Sequence, residues 1–476
     1  MAPRNRIIID TDPGVDDILA ILLAFAAKPE ELEVLLLSLT FGNVEVQSCL
    51  RNVVTLFHYI EKEQTWRREN GKPEGFEALK ACKPIVAVGA EEPLADQIML
   101  ADYFHGIDGL GGIHHSHPHL TPADTWKSLF KAAASSSDPE EVSAANEAQD
   151  PSHALFTPST KPAAEEMLRL LRENEPDTIT IVAIGPLTNL AIAAFIDPET
   201  FLRAKEVVVM GGAIDVPGNM TPGAEFNTYA DSVAAARIFA LTSTHPRMTM
   251  PPTPPGNQDA LLAPYPTKLS RQLKLTLFPL DITTPHALTR GTFTAHTLPL
   301  LAPSSPQNTP PLTSPSPLAT WTAAFLAPTF AKIASLDAAA RTAPPDAVAL
   351  QLHDPCCVWY AMAAAPSVEF PAVVKDVRVE TAGQWTRGFC VVDGRGRQRM
   401  EEEDDGGDEE GEVEVEKEVV GDHGRWLGGR GNAVRVCVGS PGFDVFQGVL
   451  LGRVFGTTTT TTTTGAGGGE LFEVRK

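Results

Sequence analysis

Short apolar runs that suit fully buried strands alternate with helical patterns through the first half of the chain. Strands are predicted at Arg6–Ile9, Val34–Leu39, Ile85–Val88, Thr178–Ile184 and Glu206–Met210, and helices at Ile18–Ala27, Val46–Glu61 and Leu187–Phe195. Strands that are apolar throughout must be covered on both faces, which is typical of parallel sheets joined by helices. The pattern therefore predicts an α/β fold with an open, mostly parallel central sheet, flanking helices and a Rossmann-like core.

Segments of biased composition interrupt this pattern. Surface insertions or disordered stretches are predicted at about 113–160, 243–272, 299–317 and 400–430, because histidine-, serine-, proline- or acid-rich stretches cannot build a core of their own. The threonine run and the glycines after it predict a low-complexity tail at 457–476. We predict that residues 1–456 form a single domain that carries the insertions.

Charge and cysteine content limit the kinds of partner. The 476-residue chain has a formal net charge of −22, which opposes binding to the phosphates of nucleic acids. Half of this excess lies in residues 401–418, which hold twelve acidic residues and one lysine. No apolar run approaches membrane-spanning length, and the six cysteines lack metal-ligand spacing. We expect a cytoplasmic protein with reduced thiols that binds neither nucleic acid nor membranes.

Four aspartates lie within eight residues between the first predicted strand and the first predicted helix: Asp10, Asp12, Asp16 and Asp17. In parallel sheets, ligands bind at the loops that follow the carboxyl ends of the strands. Carboxylates confined together repel one another unless a cation joins them, and oxygen ligands favour Ca²⁺ or Mg²⁺ over zinc. The alternative is capping of the helix N-terminus, which accounts for one or two of the four aspartates.

Further motifs follow in the order that one enzyme family displays. The sequence resembles the inosine–uridine-preferring nucleoside hydrolases, whose signature D-x-D-P-G-x-D-D is matched by residues 10–17. The resemblance covers residues 5 to about 395, with a weaker match at 432–455. The other matching motifs are Thr40–Asn43, His105–Gly109, Ile184–Asn189, Met210–Gly212, Gly218–Asn219, Ala224–Asn227, Leu280–Thr283, His353–Pro355 and Glu380–Gly388.

This resemblance implies a nucleoside-hydrolase fold and hydrolysis of the N-glycosidic bond of ribonucleosides to ribose and free base, as in purine and pyrimidine salvage. It also implies one calcium ion per subunit and assembly as a homodimer or homotetramer. By resemblance, Asp12, Asp17, Asp354 and the carbonyl of Ile184 bind the calcium ion, and Asp12 also acts as the general base. Asp10 supports this loop from behind the ligands.

The resemblance also places the substrate. The residues expected to bind the nucleoside are Asp16, Asn43, His105, Met210, Asn219, Glu225 and Asn227, with Asn219 at the 5′-hydroxyl. His353 is expected to stabilise or protonate the departing base. The base preference itself stays open, because the loops around the base are inserted or unmatched in this chain.

Two of the expected site residues and one histidine cluster have structural interpretations as well. His105 matches an active-site histidine found in only part of the family, and Met210 suits the core as well as a nucleoside contact. The cluster of His114, His115, His117 and His119 lacks acidic or cysteine partners at ligand spacing, so we predict a solvated loop there and not a metal site.

Two other functions remain as alternatives. Asp10 and Asp12 have the D-x-D spacing of a metal-dependent phosphohydrolase, but no lysine is suitably placed to neutralise a phosphate. The chain could also bind a nucleoside or ribose without turnover, although every expected metal ligand and the general base are present.

Overall fold

A nine-stranded, mostly parallel sheet forms the centre of the computed structural model, which describes residues 4–122, 127, 130, 155–243, 245–251, 262–302, 311–395, 422–427 and 431–457. Its strand order is β10-β13-β7-β6-β5-β1-β2-β3-β4, and only the β10–β13 pair is antiparallel. The predicted fold class is therefore confirmed. The strands are β1 (Asn5–Thr11), β2 (Leu32–Leu39), β3 (Ile85–Val88), β4 (Thr157–Pro158), β5 (Ile179–Ala183), β6 (Glu206–Met210), β7 (Leu275–Phe278), β8 (Ala287–Thr289), β9 (Ala349–Gln351), β10 (Ala372–Lys375), β11 (Arg378–Val379), β12 (Cys390–Val391) and β13 (Val434–Cys437).

Helices cover both faces of the sheet. They are α1 (Val15–Phe25), α2 (Val46–Glu69), α3 (Glu77–Ala81), α4 (Asp102–His105), α5 (Ile113–Ser116), α6 (Ala163–Glu173), α7 (Thr188–Ile196), α8 (Pro198–Phe201), α9 (Phe226–Ala230), α10 (Ser232–Ala240), α11 (Leu280–Thr283), α12 (Arg290–Leu301), α13 (Pro317–Leu336), α14 (Ala338–Thr342), α15 (His353–Met362), α16 (Pro366–Glu369) and α17 (Phe443–Phe455). Successive residues of β1 alternate between the two cores: Ile7 and Ile9 belong to one, and Ile8 belongs to the other. Alternation with both sides buried explains why the strand is apolar throughout.

Parallel pairing brings the candidate site together at one edge of the sheet. Asp10 near the end of β1 is in register with Ser38 of β2 on one side and Ala183 of β5 on the other. The loops that follow β1, β2, β5 and β6 therefore leave the sheet side by side. Helix α15 packs against α1, which carries its first residues to the same edge.

The helices differ from their predicted bounds. Helix α1 begins at Val15, three residues before the predicted start, so Asp16 and Asp17 lie in its first turn. Helix α2 continues to Glu69, eight residues beyond the predicted end. The buried residues that extend these helices are largely polar, Asp16 and Asp17 in α1 and Glu63, Gln64 and Arg67 in α2, so apolar periodicity does not mark either bound.

The predicted insertions are described only at their ends, and those ends are folded. Residues 113–122 form α5 and a short 3-10 turn, with Ile113 and Leu120 buried. Leu262 and Tyr265 are buried as well. The remaining parts of the insertions, and residues 458–476, lie outside the described residues, and the single domain over residues 1–456 stays a prediction. No helix in the described ranges is both long enough and apolar enough to cross a bilayer.

A buried ion pair anchors the start of α13, whose last turn reaches the candidate site. Glu63 is fully buried and accepts hydrogen bonds from Arg67 Nε at 2.8 Å, from Ser316 Oγ at 2.6 Å and from the Leu318 amide at 3.2 Å. Arg67 in turn donates to the carbonyl of Val454 at 2.7 Å. One carboxylate thus joins α2, α13 and α17.

We predict that Glu63→Ala lowers the free energy of unfolding by about 3–5 kcal/mol, because it leaves Arg67 buried without its counter-charge. Denaturant unfolding of the two proteins measures this loss. Glu173→Ala is the matched control, since Glu173 forms an ion pair with Arg169 but is 56% exposed, and exposed pairs contribute about 0–1 kcal/mol. Equal losses in the two variants would contradict the proposed role of Glu63.

Candidate active site

The loop between β1 and α1 is folded around the carboxylate of Asp17. One of its oxygens accepts hydrogen bonds from Thr11 Oγ1 at 2.6 Å and the Asp12 amide at 3.3 Å. The other accepts from the Gly14 amide at 3.0 Å and from Asn43 Nδ2 at 2.8 Å. Asp17 thus caps the first turn of α1 and shapes the loop, as the capping interpretation predicts for one of the four aspartates.

Asp12 has a buried oxygen that no described residue satisfies. Its Oδ2 accepts from the Asn43 amide at 2.7 Å, whereas its Oδ1 is buried with no hydrogen-bond partner. A Cβ on Gly185 would lie 2.6 Å from this Oδ1, so only glycine at this position allows the two loop segments to approach each other this closely. A buried, unpaired carboxylate oxygen is costly unless it binds a ligand, and a cation is the ligand it suits.

Helix α15 brings a fifth carboxylate, that of Asp354, to this loop. Asp16, Asp17 and Asp354 offer oxygen atoms that all lie within 4.8 Å of one another, although Asp354 is more than 330 residues away in sequence. All three side chains are buried. Asp12 is close enough to raise the pKa of Asp354 further.

Burial and mutual repulsion disfavour the charged forms of these acids. Burial first, and then the charge of Asp17, raises the pKa of Asp16 to about 7 and that of Asp12 well above its usual range. Burial and the neighbouring Asp16 do the same to the pKa of Asp354. Among the described residues that line the pocket above this cluster, none is a lysine or an arginine. The all-oxygen donor set therefore fits a hard divalent cation.

A pocket of about 300 Å³ opens above the carboxylates. Ten of the residues selected from sequence line it: Asp16, Asn43, His105, Ile184, Met210, Asn219, Glu225, Asn227, His353 and Asp354. Asp12 and Asp17 lie beneath them, and Asp10 lies farther back. The structure thus brings the expected site residues to one place.

The other residues that line the pocket were not predicted from sequence. These residues are Ala101, Tyr103, Phe104, Phe226, Ile333, Leu336, Asp337, Ala349, Leu350 and Gln351. Tyr103 and Phe104 adjoin the His105 motif and could have been found from it. Ile333 and Leu336 lie in the last turn of α13, which follows a proline-rich stretch without a recognisable motif, so no sequence signal marked them.

Asp10 supports the site without lining it. Its Oδ2 accepts hydrogen bonds from Ser38 Oγ at 2.5 Å and Asn189 Nδ2 at 2.9 Å, and burial raises its pKa to about 7. Its backbone carbonyl accepts from the Ile184 amide at 2.8 Å. Asp10 therefore fixes the position of the residue whose carbonyl was selected as a metal ligand.

The opposite wall is formed by Glu225 and two asparagines. The carboxylate of Glu225 accepts from the amides of Gly212 at 2.8 Å, Asn227 at 2.7 Å and Thr228 at 2.9 Å. Asn227 Nδ2 contacts the carbonyl of Ile184 at 3.2 Å. This wall is ordered mainly by hydrogen bonds to backbone groups.

Asn219 and Met210 complete this side of the pocket. The Oδ1 of Asn219 accepts from the Phe226 amide at 2.9 Å, and its own amide hydrogens have no hydrogen-bond partner among the described residues, so they are available to a ligand. Met210 is 2% exposed yet lines the pocket, so it belongs to the core and to the site at once.

Both pocket histidines are neutral. His105 Nδ1 accepts from the Val15 amide at 3.2 Å, which places the ring hydrogen on Nε2, and burial lowers its pKa to about 3. His353 contacts Thr283 Oγ1 through Nδ1 at 2.8 Å and Gln351 Oε1 through Nε2 at 3.1 Å. Burial lowers the pKa of His353 to about 4. Each ring can donate a hydrogen bond but carries no charge at neutral pH.

The histidine cluster after α4 is only partly solvated. His115 and His119 are exposed, as predicted. His114 is half-buried, and both of its ring nitrogens have hydrogen-bond partners, Thr121 Oγ1 at 2.7 Å and Asn52 Oδ1 at 2.8 Å. The prediction of a solvated loop is therefore wrong for His114, because α5 turns this side chain towards α2.

We predict that binding of a divalent cation releases protons and weakens as the pH falls from 8 to 6. The raised pKa values of the buried aspartates mean that protons must leave before the carboxylates can bind the ion, and affinity should fall about tenfold per pH unit for each proton displaced. Calorimetric titrations in two buffers of different ionisation enthalpy count these protons. Identical heats in both buffers and a pH-independent affinity would contradict the prediction.

Comparison with known proteins agrees with this geometry. The family model described as inosine-uridine preferring nucleoside hydrolase matches residues 7–423. The chain is 34% identical over 240 residues to uridine nucleosidase 1 of Arabidopsis thaliana, which covers 50% of this chain and 54% of that protein. It is also 34% identical over 233 residues to a pyrimidine-specific ribonucleoside hydrolase of Salmonella arizonae, covering 49% of this chain and 56% of the relative.

Solved structures share the fold at lower identity. A plant nucleoside hydrolase superposes with a TM-score of 0.58 at 22% identity, covering 96% of this chain and 100% of the other. A purine-preferring ribonucleoside hydrolase from Gardnerella vaginalis gives a TM-score of 0.58 at 19% identity, covering 95% and 98% of the two chains. The chain spans little more than half the length of the curated relatives it matches. The family match extends over most of the sequence, and the protein therefore belongs to the inosine-uridine preferring nucleoside hydrolase family.

Proposed function

We propose that this protein hydrolyses the N-glycosidic bond of ribonucleosides to give ribose and the free base. One observation carries the proposal: buried carboxylates from the two ends of the fold, Asp12 and Asp17 early and Asp354 late, meet below a pocket lined by amides and neutral histidines. Such a pocket suits a neutral, hydroxyl-rich substrate better than an anionic one. The family membership supports the same reaction.

The residues proposed to hold the cation are Asp12, Asp17, Asp354 and the carbonyl of Ile184. We propose calcium, which prefers many oxygen ligands, and which when bound supplies the positive charge that orients and acidifies the attacking water. Asp12 acts as general base, because its Oδ1 has no hydrogen-bond partner among the described residues and, unlike the unpaired Oδ1 of Asp10, belongs to a carboxylate that acts on Asp354. As the C–N bond breaks, its electron pair leaves with the base, the water oxygen bonds to the anomeric carbon of the ribose, and the water's proton passes to Asp12; the released base then takes up a proton from solvent.

The ribose is held by polar side chains on both walls. Asp16 contributes from the first turn of α1, Asn43 from the loop after β2, and Asn219, Glu225 and Asn227 from the opposite wall. Because the Glu225 carboxylate already accepts three backbone hydrogen bonds, its orientation is fixed before a substrate arrives. A pre-ordered site of this kind loses less entropy on binding.

The departing base is stabilised by hydrogen bonding and not by full protonation. His353 and His105 have pKa values lowered to about 4 and about 3 by burial, so they are neutral at physiological pH. A neutral imidazole N–H can donate to the negative charge that develops on the base. For His353 we therefore propose stabilisation of the departing base and not its protonation.

The alternatives are less well supported. A D-x-D phosphohydrolase would need Asp10 as a free nucleophile or ligand, but Asp10 is fully buried and bonded to Ser38 and Asn189. Among the described residues that line the pocket, there is also no lysine or arginine to neutralise the charge of a phosphate. A non-catalytic binder has no such objection and is separated by measuring turnover.

Four finer proposals accompany the activity. The names of the two relatives above give uridine or pyrimidine ribonucleosides as their substrates. For this protein we propose a role in purine and pyrimidine salvage. Six cysteines without a disulfide agree with a cytoplasmic location. Assembly as a homodimer or homotetramer follows the family resemblance, as does the choice of calcium.

We predict base release from inosine, uridine, adenosine or cytidine in the presence of calcium, and loss of release after chelation. Asp12→Asn should lower kcat by about 10²- to 10⁴-fold, because it removes the general base. Asp102→Asn, an exposed aspartate of α4, is the matched control. Phosphate release from nucleotides would favour the phosphohydrolase, and nucleoside binding without product would favour the non-catalytic binder. Full activity in a folded Asp12→Asn protein would refute the role of Asp12.

We predict that Asn219→Ala lowers kcat/KM about 3- to 10-fold for a nucleoside with a 5′-hydroxyl, as expected for one hydrogen bond. The same variant should turn over the 5′-deoxy analogue almost as well as the wild type. Asn219 also accepts a hydrogen bond from the Phe226 amide, and the substitution removes this bond for both substrates. The difference between the two substrates therefore reports the contact with the 5′-hydroxyl alone. Equal losses for both substrates would show that Asn219 acts only on the backbone.

A further inference from the structure

Asn52 of α2 lies directly behind the loop between β1 and α1 and is completely buried. Its Nδ2 donates to the carbonyl of Pro13 at 2.8 Å and to the carbonyl of Asp108 at 2.9 Å. Both hydrogens of the amide are therefore used, and its Oδ1 has to accept. The partner of that Oδ1 is His114 Nε2 at 2.8 Å.

This arrangement fixes the tautomer of His114. Since Asn52 Oδ1 is an acceptor, His114 carries its hydrogen on Nε2, and its Nδ1 accepts from Thr121 Oγ1 at 2.7 Å. Burial lowers the pKa of His114 to about 4, so the ring is neutral as this scheme requires. The chain thus runs from Thr121 through His114 and Asn52 to Pro13.

Asp108 ties the same chain to the loop that carries His105. Its carboxylate accepts from the amides of Leu110 at 2.9 Å, Gly112 at 2.8 Å and His114 at 2.8 Å. Gly109 has a φ of +81°, and a Cβ there would lie 2.8 Å from Asn52 Nδ2. The loop therefore lies flat against Asn52 with no room for a side chain.

The loop that carries His105 also bonds to Val15, at the other end of the turn formed by Pro13, Gly14 and Val15. The Val15 amide donates to His105 Nδ1 at 3.2 Å, and a Cβ on Gly14 would lie 2.6 Å from that atom. Pro13 and Val15, on either side of Gly14, are thus both bonded to the unit built by Asn52, His105 and His114. Asp12 precedes this turn and Asp16 follows it.

Building on the proposed function, we infer that Asn52 and His114 are positioning residues that fix the Pro13–Val15 turn and with it the spacing between Asp12 and the Asp16–Asp17 pair. Neither side chain lines the pocket, so neither touches a substrate. They act through the turn, and His114 does so from a segment that the sequence analysis assigned to an insertion.

Two substitutions at one position separate the bond to Asn52 from the bond to Thr121. In His114→Gln the side-chain amide reaches the place of Nε2 and keeps a donor for Asn52. In His114→Asn the shorter amide takes the place of Nδ1, so it can contact Thr121 but not Asn52. His115→Asn is the matched control on the same helix, because His115 is exposed.

Three measurements on the full-length proteins test the inference. Hydrogen exchange by mass spectrometry, without metal or substrate, reports on the peptide that covers residues 14–18. Calorimetry with CaCl₂ gives the calcium affinity, and steady-state assays give kcat and KM. We expect faster exchange in this peptide, about 10-fold weaker calcium binding and about 10-fold lower kcat with nearly unchanged KM for His114→Asn, the range seen when support behind metal ligands is lost. His115→Asn should resemble the wild type, and His114→Gln, which loses only the contact with Thr121, should show a much smaller change than His114→Asn.

The outcomes are separable. Thr121→Val removes only the hydroxyl beside Nδ1, and a smaller change in the same direction would support the inference even where His114→Asn folds poorly. Equal behaviour of His114→Asn and His114→Gln, or faster exchange confined to residues 105–121, would overturn it. A wild-type protein that hydrolyses no nucleoside would refute the proposed function, while the exchange data would still decide this inference.

Discussion

Repulsion among buried carboxylates is the constraint around which the site is built. Asp12, Asp16, Asp17 and Asp354 are withdrawn from water at one edge of the sheet, and the charges of the first three raise the pKa of at least one neighbour. Desolvation of this kind would favour protonation and drive the loops apart unless donors or a cation compensated it. The fold supplies backbone amides, the Asn43 side chain and close glycine contacts, but the described lining supplies no cationic side chain. Compensation by a bound cation follows from this imbalance.

The elements nearest to this edge could be predicted from sequence because local and global signals agree there. Local sequence patterns identify the apolar strand β1, the turn at Pro13 and Gly14, and the first residues of α1. The family resemblance adds Asp354, which no local pattern links to them. The bounds of α1 and α2 could not be placed, since both helices stay buried beyond their periodic region. The candidate residues themselves were found because ligand chemistry leaves recognisable side chains.

The apolar side of the pocket left no such signal. Ile333 and Leu336 reach it only because α13 is anchored at its start by Glu63 and runs 20 residues to the site. Aliphatic residues at a helix end look the same whether they face a core or a ligand. His114 is the opposite case, since its setting in a biased segment suggested solvent, and only the packing of α5 on α2 shows its bonds to Asn52 and Thr121. The polar lining of the pocket was therefore predictable from sequence, and its apolar side was not.

The capping and metal-binding interpretations of the aspartates turn out to be compatible, and Asp17 shows how. In the arrangement described here its carboxylate accepts four hydrogen bonds, which is about the full capacity of its lone pairs. A cation can bind Asp17 only if one donor gives way. Thr11, Asp12 and Gly14 belong to the loop that the carboxylate caps, whereas Asn43 comes from another strand end and lines the pocket. The Asn43 side chain, which also donates to the Asp12 carbonyl at 3.1 Å, is thus the donor that could leave Asp17 without opening the loop, and in the proposed site this would couple ion binding to the substrate pocket.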